Sequence, residues 1–395
     1  MARNKHADRA DATLCVHAGE ERHGHQPITT EIAQTSVFVL PSLEDLRLAA
    51  EGKASPYMYT RYANPTTAAA EAKIAALEGA EACLVTASGQ AATMSAVLSV
   101  CGAGDEVVSM LDVYGGTIKL LDDEFRRFGL KIHYVPYRDL ERIERYFTRK
   151  TKLLFLETPT NPTLRCVDLE RLCGLARKRG ITSLVDNTFA TPILQKPLSL
   201  GADLVMHSAT KYLGGHSDVT AGALAGAKQR IDPARRAMKN SGGCLDPLAS
   251  YLLIRGLKTL EVRVERACRN AAGIVQALLG HRKIERVLYP GLPQNEGHDF
   301  ARSQMRDFGM MVSFDIRGGM RAADKFIRAL KIWYLATSLG GVESTVSYPA
   351  LSSHVGLSAE RLKLMDVSPA TVRLSVGIEN SADLVADITQ ALDRA

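Results

Sequence analysis

Residues 206–218 read "MHSATKYLGGHSD". The run Ala202–Met206 ahead of them is mostly apolar, as in a buried strand, and two glycines follow, Gly214 and Gly215. Lys211 therefore stands at the mouth of a strand-to-loop junction with little room around it. Solvated lysines normally sit among other charges on helix faces. The companions of this one are Ser208, Thr210, His216, Ser217 and Asp218. That pattern asks what the strands beside it carry.

Upstream the chain alternates. "EACLVTAS" (81–88), "DEVVSML" (105–111), "KIHYVPY" (131–137), "TKLLFLE" (151–157), "ITSLVDN" (181–187) and "ADLVMH" (202–207) are short apolar runs. Between them lie stretches with helical spacing: 66–80, 89–100, 116–129, 139–147 and 168–180. The strands are apolar throughout rather than alternating, which predicts an α/β fold whose mostly parallel sheet is covered on both faces. From about residue 245 the character changes. Residues 248–280 read as long helix with a possible break at Gly256. Strands are predicted in "GMMVSFDIRGG" and "ATVRLSVGIE", with helices at 321–330 and 381–394. The expected division is an N-terminal arm over 1–65, a large domain over 66–250 and a smaller C-terminal α/β domain over 251–395, with residues 1–30 outside any core.

The bulk composition excludes several classes. The chain has 395 residues and a formal net charge of +6, with basic residues scattered rather than striped, so nucleic acid is not an expected partner. Seven cysteines, an odd number without C-x-x-C spacing, read as free core thiols in a reducing compartment, with no metal site. No apolar run approaches the roughly 20 residues of a membrane span, and "MARNKHADRADATLC" lacks a signal-type core. A cytoplasmic protein without a membrane partner is expected.

In an open parallel sheet, ligands bind beyond the carboxyl ends of the strands. Five such ends carry polar groups here. Ser88-Gly89-Gln90 opens a helix, where free N–H groups make an anion site; the same residues suit an ordinary serine-capped turn. Tyr114-Gly115-Gly116 can lay a ring over a flat ligand, or can be a core tyrosine beside a turn. Asn161 lies between Pro159 and Pro162, which fix its loop. Asp186 ends an apolar strand, a costly place for a carboxylate unless a cation meets it or it caps a helix. Lys211 completes the set, and one shared site accounts for all five better than five accidents. An anion cradle, a stacking ring, a buried aspartate and a reactive lysine suit pyridoxal 5′-phosphate (PLP). Lys211 would bond to its aldehyde as a Schiff base. Asp186 would face the pyridine nitrogen, and Ser208 and Thr210 would join the helix start at the phosphate. No G-x-G-x-x-G follows a strand and opens a helix, which argues against a dinucleotide-binding oxidoreductase.

The text then resembles a known family. "YTRYANPT" (59–66), "VYGGT" (113–117), "ETPTNPT" (157–163), "VDNTFATP" (185–192), "HSATKYLGGHSD" (207–218), "RGLKTL" (255–260), "SLGGVES" (338–344) and "RLSVGIE" (373–379) are similar to motifs of the Cys/Met-metabolism, or trans-sulfuration, family of fold-type-I PLP enzymes. That fold is aspartate-aminotransferase-like. The resemblance implies Lys211, Tyr114 and Asp186 as catalytic residues. It implies a cofactor cradle of Ser88, Gly89, Gln90, Tyr114, Asn161, Asp186, Ser208, Thr210 and Lys211, completed by Tyr59 and Arg61 from a neighbouring subunit. A homodimer is then the minimum unit and a homotetramer the expected assembly. Substrate would be held by Arg373, through its α-carboxylate, and by Ser338, Asn161, Tyr59 and Glu343, with Glu157 supporting the ring. The expected activity is elimination or replacement at Cγ of sulfur amino acids, with the amino-acid substrate cleaved as by a cystathionine γ-lyase. γ-Replacement by a cystathionine γ-synthase or O-acylhomoserine sulfhydrylase is the next reading, then methionine γ-lyase; a catalytically silent relative is disfavoured by intact Lys211, Asp186 and Arg373. Departures from the family text include Met58, Gln90, Ala267, Tyr348 and Ser353. Gly116 stands where methionine γ-lyases usually have cysteine.

Overall fold

The computed structural model describes residues 9–20, 27–51, 53 and 57–395. A seven-stranded sheet is built from β1 (Ala82–Thr86), β2 (Glu106–Met110), β3 (Lys131–Val135), β4 (Thr151–Glu157), β5 (Thr182–Asp186), β6 (Leu204–His207) and β7 (Gly222–Gly226). Its order is β1-β7-β6-β5-β4-β2-β3, and only β7 runs against the rest. The carboxyl ends of the other six strands therefore share one edge, as the apolar runs predicted. β7, "GALAG", is absent from that prediction because small residues are poor strand formers. Packing selects them: a Cβ on Gly222 would lie 2.1 Å from the Ser88 carbonyl oxygen.

Helix ends follow their caps. Asn64 accepts the Thr66 N–H and Pro65 occupies the first turn of the helix Pro65–Glu78, which Gly79 closes at φ 68°. The predicted helix over 116–129 is α-helical only over Gly115–Lys119, continuing as a π-helical turn, Leu120–Phe125. The stretch predicted over 139–147 is a 3₁₀ helix, Tyr137–Tyr146. The long helix over 248–280 is two, Pro247–Leu257 and Leu260–Leu278, parted by Lys258 and Thr259.

A second sheet holds β8 (Ile284–Leu288), β9 (Met311–Ile316), β10 (Tyr334–Leu335), β11 (Thr345–Ser347) and β12 (Thr371–Ser375), in the order β10-β11-β12-β9-β8. The helix Leu260–Leu278 joins the two layers. Leu260, Val264 and Cys268 pack with the helices on the larger sheet, while Ala271, Ile274 and Leu278 pack with β9, β12 and the helix Ser381–Arg394.

One expectation is corrected. Residues 11–17 form a helix, with Leu14 and Cys15 buried against helix Pro65–Glu78. The fully buried Lys73 donates from Nζ to the carbonyls of Cys15 (2.9 Å) and Val16 (3.1 Å), the exposed end of that short helix. A lysine inside an Ala-rich helix reads as solvent-facing, which hid the docking site. All seven cysteines are free, and the described residues hold no group of three potential metal ligands. No described helix is long and apolar enough to cross a membrane.

Candidate active site

Glu157 and Asp186 end adjacent parallel strands and are register partners; Met206 lies next along. Burial pushes both carboxyls up. Glu157 is raised further by the charge of Asp186, and its Oε2 accepts the Tyr114 N–H at 2.7 Å. Against the burial effect on Asp186 work the Thr188 hydroxyl and N–H, both donated to Oδ1, then the charges of His207 and Lys211. Thr188 also accepts the Ser208 N–H at 2.9 Å, so one hydroxyl ties the aspartate to the lysine loop.

That loop is a compact turn. Lys211 N–H donates to Ser208 O, Gly214 N–H to Ala209 O and Gly215 N–H to Lys211 O. Gly215 has φ 72°, and a Cβ there would sit 2.0 Å from the Arg263 guanidinium. The turn aims Lys211 into a cavity of about 390 Å³, where its ammonium donates to Ser338 Oγ at 2.6 Å. Burial first, and the charge of Arg373 second, pull the Lys211 amine down to about 8, with Asp186 opposing. Ser338 holds φ 81°, a left-handed conformation unusual for serine, which presents its hydroxyl to Lys211 and its carbonyl to Arg373.

The anion cradle is present at the other end. Ser88 caps the helix Gly89–Val100 by accepting the Ala91 N–H, and its carbonyl takes the Ala92 N–H. The amides of Gly89 and Gln90 have no acceptor among the described residues. A Cβ on Gly89 would meet Ser208 Cβ at 2.9 Å, so only glycine lets the two loops close on one another. The Thr210 hydroxyl donates to Ala221 O and accepts the Ala221 N–H, bracing the turn at the cavity wall.

Tyr114 is 44 % exposed at the cavity mouth, its ring over Gly116. Arg373, on β12, is buried; Nη1 donates to Asn161 Oδ1 at 2.6 Å, Nη2 reaches Ser338 O at 3.5 Å, and Nε has no partner. A buried guanidinium with unspent donors beside Lys211 is a carboxylate receptor. Burial lowers it to about 10.

Ser88, Gly89, Gln90, Tyr114, Asn161, Asp186, Ser208, Thr210, Lys211, Ser338 and Arg373 thus line one cavity. Tyr59, Arg61 and Glu343 do not. Arg61 donates to the Lys239 carbonyl at 2.6 Å and lies over the Tyr59 and Tyr62 rings, and Glu343 accepts from Ser217. Sequence reasoning passed over the support behind Asp186: His207 Nε2 lies 2.5 Å from Glu78 Oε1, both side chains wholly buried, with Asn187 donating to the same oxygen. A carboxylate in the last turn of a helix, where the dipole disfavours it, was the available signal.

The residues fit PLP chemically. A glycine cradle with two unspent amides suits a phosphate, a buried carboxylate calls for a cationic N–H opposite, and a lysine poised near neutrality suits an aldehyde. The comparisons agree. A family model described as "Cys/Met metabolism PLP-dependent enzyme" matches residues 12–393. The chain is 43 % identical over 387 residues to an L-methionine gamma-lyase of Fusobacterium nucleatum subsp. polymorphum, covering 97 % of this chain and 98 % of that one. It is 40 % identical to a cystathionine gamma-lyase of Bacillus subtilis (strain 168), covering 96 % and 98 %. The solved cystathionine gamma-lyase of Lactobacillus plantarum, complexed with L-serine, superposes with a TM-score of 0.91 at 36 % identity, over 98 % of this chain and 99 % of that one. With the family model spanning nearly its whole length, this chain belongs to the Cys/Met metabolism family of PLP-dependent enzymes.

Proposed function

We propose that the chain removes or replaces the Cγ substituent of a sulfur amino acid, and that its preferred reaction is γ-elimination from L-cystathionine. The observation that carries the reading is the junction of Lys211, Ser338 and Arg373. Arg373 lines the cavity with its Nε not engaged by any partner, and Asn161 steadies the fork that would take the substrate α-carboxylate. Lys211, held by Ser338, is then beside the α-carbon as the base that takes its proton and returns one further along the chain. Tyr114, at the mouth, is placed to protonate the departing sulfur. Bound PLP supplies the electron sink that makes the α-proton acidic. Ser88, Gly89, Gln90 and Ser208 hold its phosphate, and Asp186 keeps its ring nitrogen protonated. The balanced reaction takes L-cystathionine and water to L-cysteine, 2-oxobutanoate and ammonia.

Gly116 favours cystathionine over methionine. A Cβ there would lie 2.3 Å from the Tyr114 ring and 2.6 Å from Gln90 Nε2, so the cysteine usual in methionine γ-lyases would displace both side chains from the positions they hold here. The identity to a relative named L-methionine gamma-lyase supports methionine as the second reading. γ-Replacement on an O-acylhomoserine shares the same machinery and is read out in the same experiment. Mass spectrometry of products from L-cystathionine is expected to give 2-oxobutanoate and cysteine. No cleavage of it, with turnover of O-succinyl- or O-acetylhomoserine and a thiol, transfers the assignment to replacement; pyruvate and homocysteine as products would refute γ-action.

Tyr59 and Arg61 complete the phosphate site from a second subunit in this reading, making a homodimer the working unit and a homotetramer its assembly. Supporting it, Ile28, Val37, Val39 and Leu43 are all exposed, Val39 at 97 %. Mixing inactive Lys211→Ala and Arg61→Ala chains under subunit exchange should restore roughly a quarter of wild-type activity, since half of the random dimers then carry one intact site of two. No recovery contradicts shared sites.

A further inference from the structure

Ser352 and Ser353 form one wall of the cavity, with His354 beside Ser353, and both hydroxyl protons are spoken for. Ser352 Oγ donates to the Tyr348 carbonyl at 2.9 Å, the only direction that pair allows. Ser353 Oγ lies 2.8 Å from His354 Nδ1, and His354 Nε2 lies 3.1 Å from the Asn161 carbonyl. A carbonyl only accepts, so Nε2 carries the ring proton. Burial first, and the nearby Arg373 charge second, pull His354 down to about 4, so the imidazole is neutral and Nδ1 is bare. Ser353 must then donate to Nδ1. Both serines line the cavity, and each presents it with lone pairs and no proton. The ring that enforces this is itself 1 % exposed and fixed against the loop of Asn161. Donors gather instead around Arg373 and Lys211. The cavity is thus polar in a directional way: donors for an anion, and an acceptor-only wall.

We infer that the Ser352–Ser353 wall, oriented by His354, is a specificity element that selects substrates whose Cγ substituent carries an N–H, O–H or S–H donor, such as an ammonium-bearing thioether, over those ending in a bare S-methyl group. The inference rests on the γ-acting reading above. His354 is a positioning residue, acting through Ser353.

The test compares kcat/KM for L-cystathionine and L-methionine in the holoenzyme and its Ser353→Ala and Ser353→Thr variants. A single hydrogen bond to a cationic donor corresponds to about tenfold or more in discrimination. Ser353→Ala is expected to lower the cystathionine-to-methionine ratio about tenfold, mainly through the cystathionine KM, while Ser353→Thr, which keeps the hydroxyl, retains it. The inhibition constant of L-norleucine, which has methionine's length and no donor, should stay unchanged in Ser353→Ala. A ratio unchanged in Ser353→Ala overturns the inference, as does a norleucine constant that rises in step with the cystathionine KM. Turnover of neither substrate by the wild type overturns the γ-elimination reading and this inference with it, whereas turnover of both with an unmoved ratio overturns this inference alone.

Discussion

The amine of Lys211 should behave in the cofactor-free protein as a nucleophile poised near neutral pH. Burial and Arg373 bring it to about 8 from an ordinary 10.5. At pH 7 a group titrating at 8 is roughly 10 % neutral, against about 0.03 % for one at 10.5, an enrichment of about 300-fold in the reactive form. Competitive labelling with trace acetic anhydride across pH 6–11, read by mass spectrometry of the Lys211 peptide against the unfolded protein, measures the midpoint. The sign of each neighbour's effect is fixed. Arg373 disfavours the ammonium, so Arg373→Gln should move the midpoint upward from about 8 toward 10.5; Asp186 favours it, so Asp186→Asn should move it downward. A wild-type midpoint near 10.5, or one that Arg373→Gln leaves in place, refutes the electrostatic account of this lysine.

Three further outcomes follow from the same geometry. Gly116→Cys should displace the Tyr114 ring and lower kcat at least tenfold with little change in thermal stability, because the clash is with a half-exposed ring rather than the core; unchanged kcat for cystathionine would show that the ring position is not needed. Arg373→Lys keeps the charge but loses the fork, and should raise KM for the amino acid by about 30- to 100-fold, or about 2–3 kcal/mol, with a smaller effect on kcat in steady-state kinetics. Glu78→Ala leaves His207 and Asn187 buried without their acceptor and should cost about 3–5 kcal/mol in denaturant unfolding, whereas Glu78→Gln, which keeps an acceptor oxygen, should cost less than half of that.

Much of the catalytic edge was legible because each strand is apolar to its end and then turns abruptly polar. Asp186 after "ITSLV" and Lys211 after "ADLVM" are costly placements that a shared ligand explains better than separate accidents. Arg373 was legible only through resemblance, since an arginine in a strand shows no sign of which face it occupies or of its unspent Nε. β7 was lost because its glycines and alanines are chosen by the close approach of the Ser88 carbonyl, a tertiary demand with no local pattern. Thr210 was read as a phosphate ligand from its neighbourhood, and it does line the cavity; the hydrogen bonds its hydroxyl makes to Ala221, eleven positions away, have no local signal. The helix 11–17 escaped because its partner, Lys73, looks solvent-facing in an alanine-rich text. Ser353 was visible as unusual wording, but the directional polarity of the wall it forms with Ser352 depends on which imidazole nitrogen of His354 meets the Asn161 carbonyl.

The account stands on one covalent claim: that Lys211, and no other lysine, carries the cofactor. Borohydride reduction of the purified holoenzyme, followed by digestion and peptide mass spectrometry, tests it directly. The account predicts a single pyridoxyl-phosphate adduct on the peptide containing Lys211. An adduct on a different lysine, or a reduced protein with no adduct at all, contradicts it.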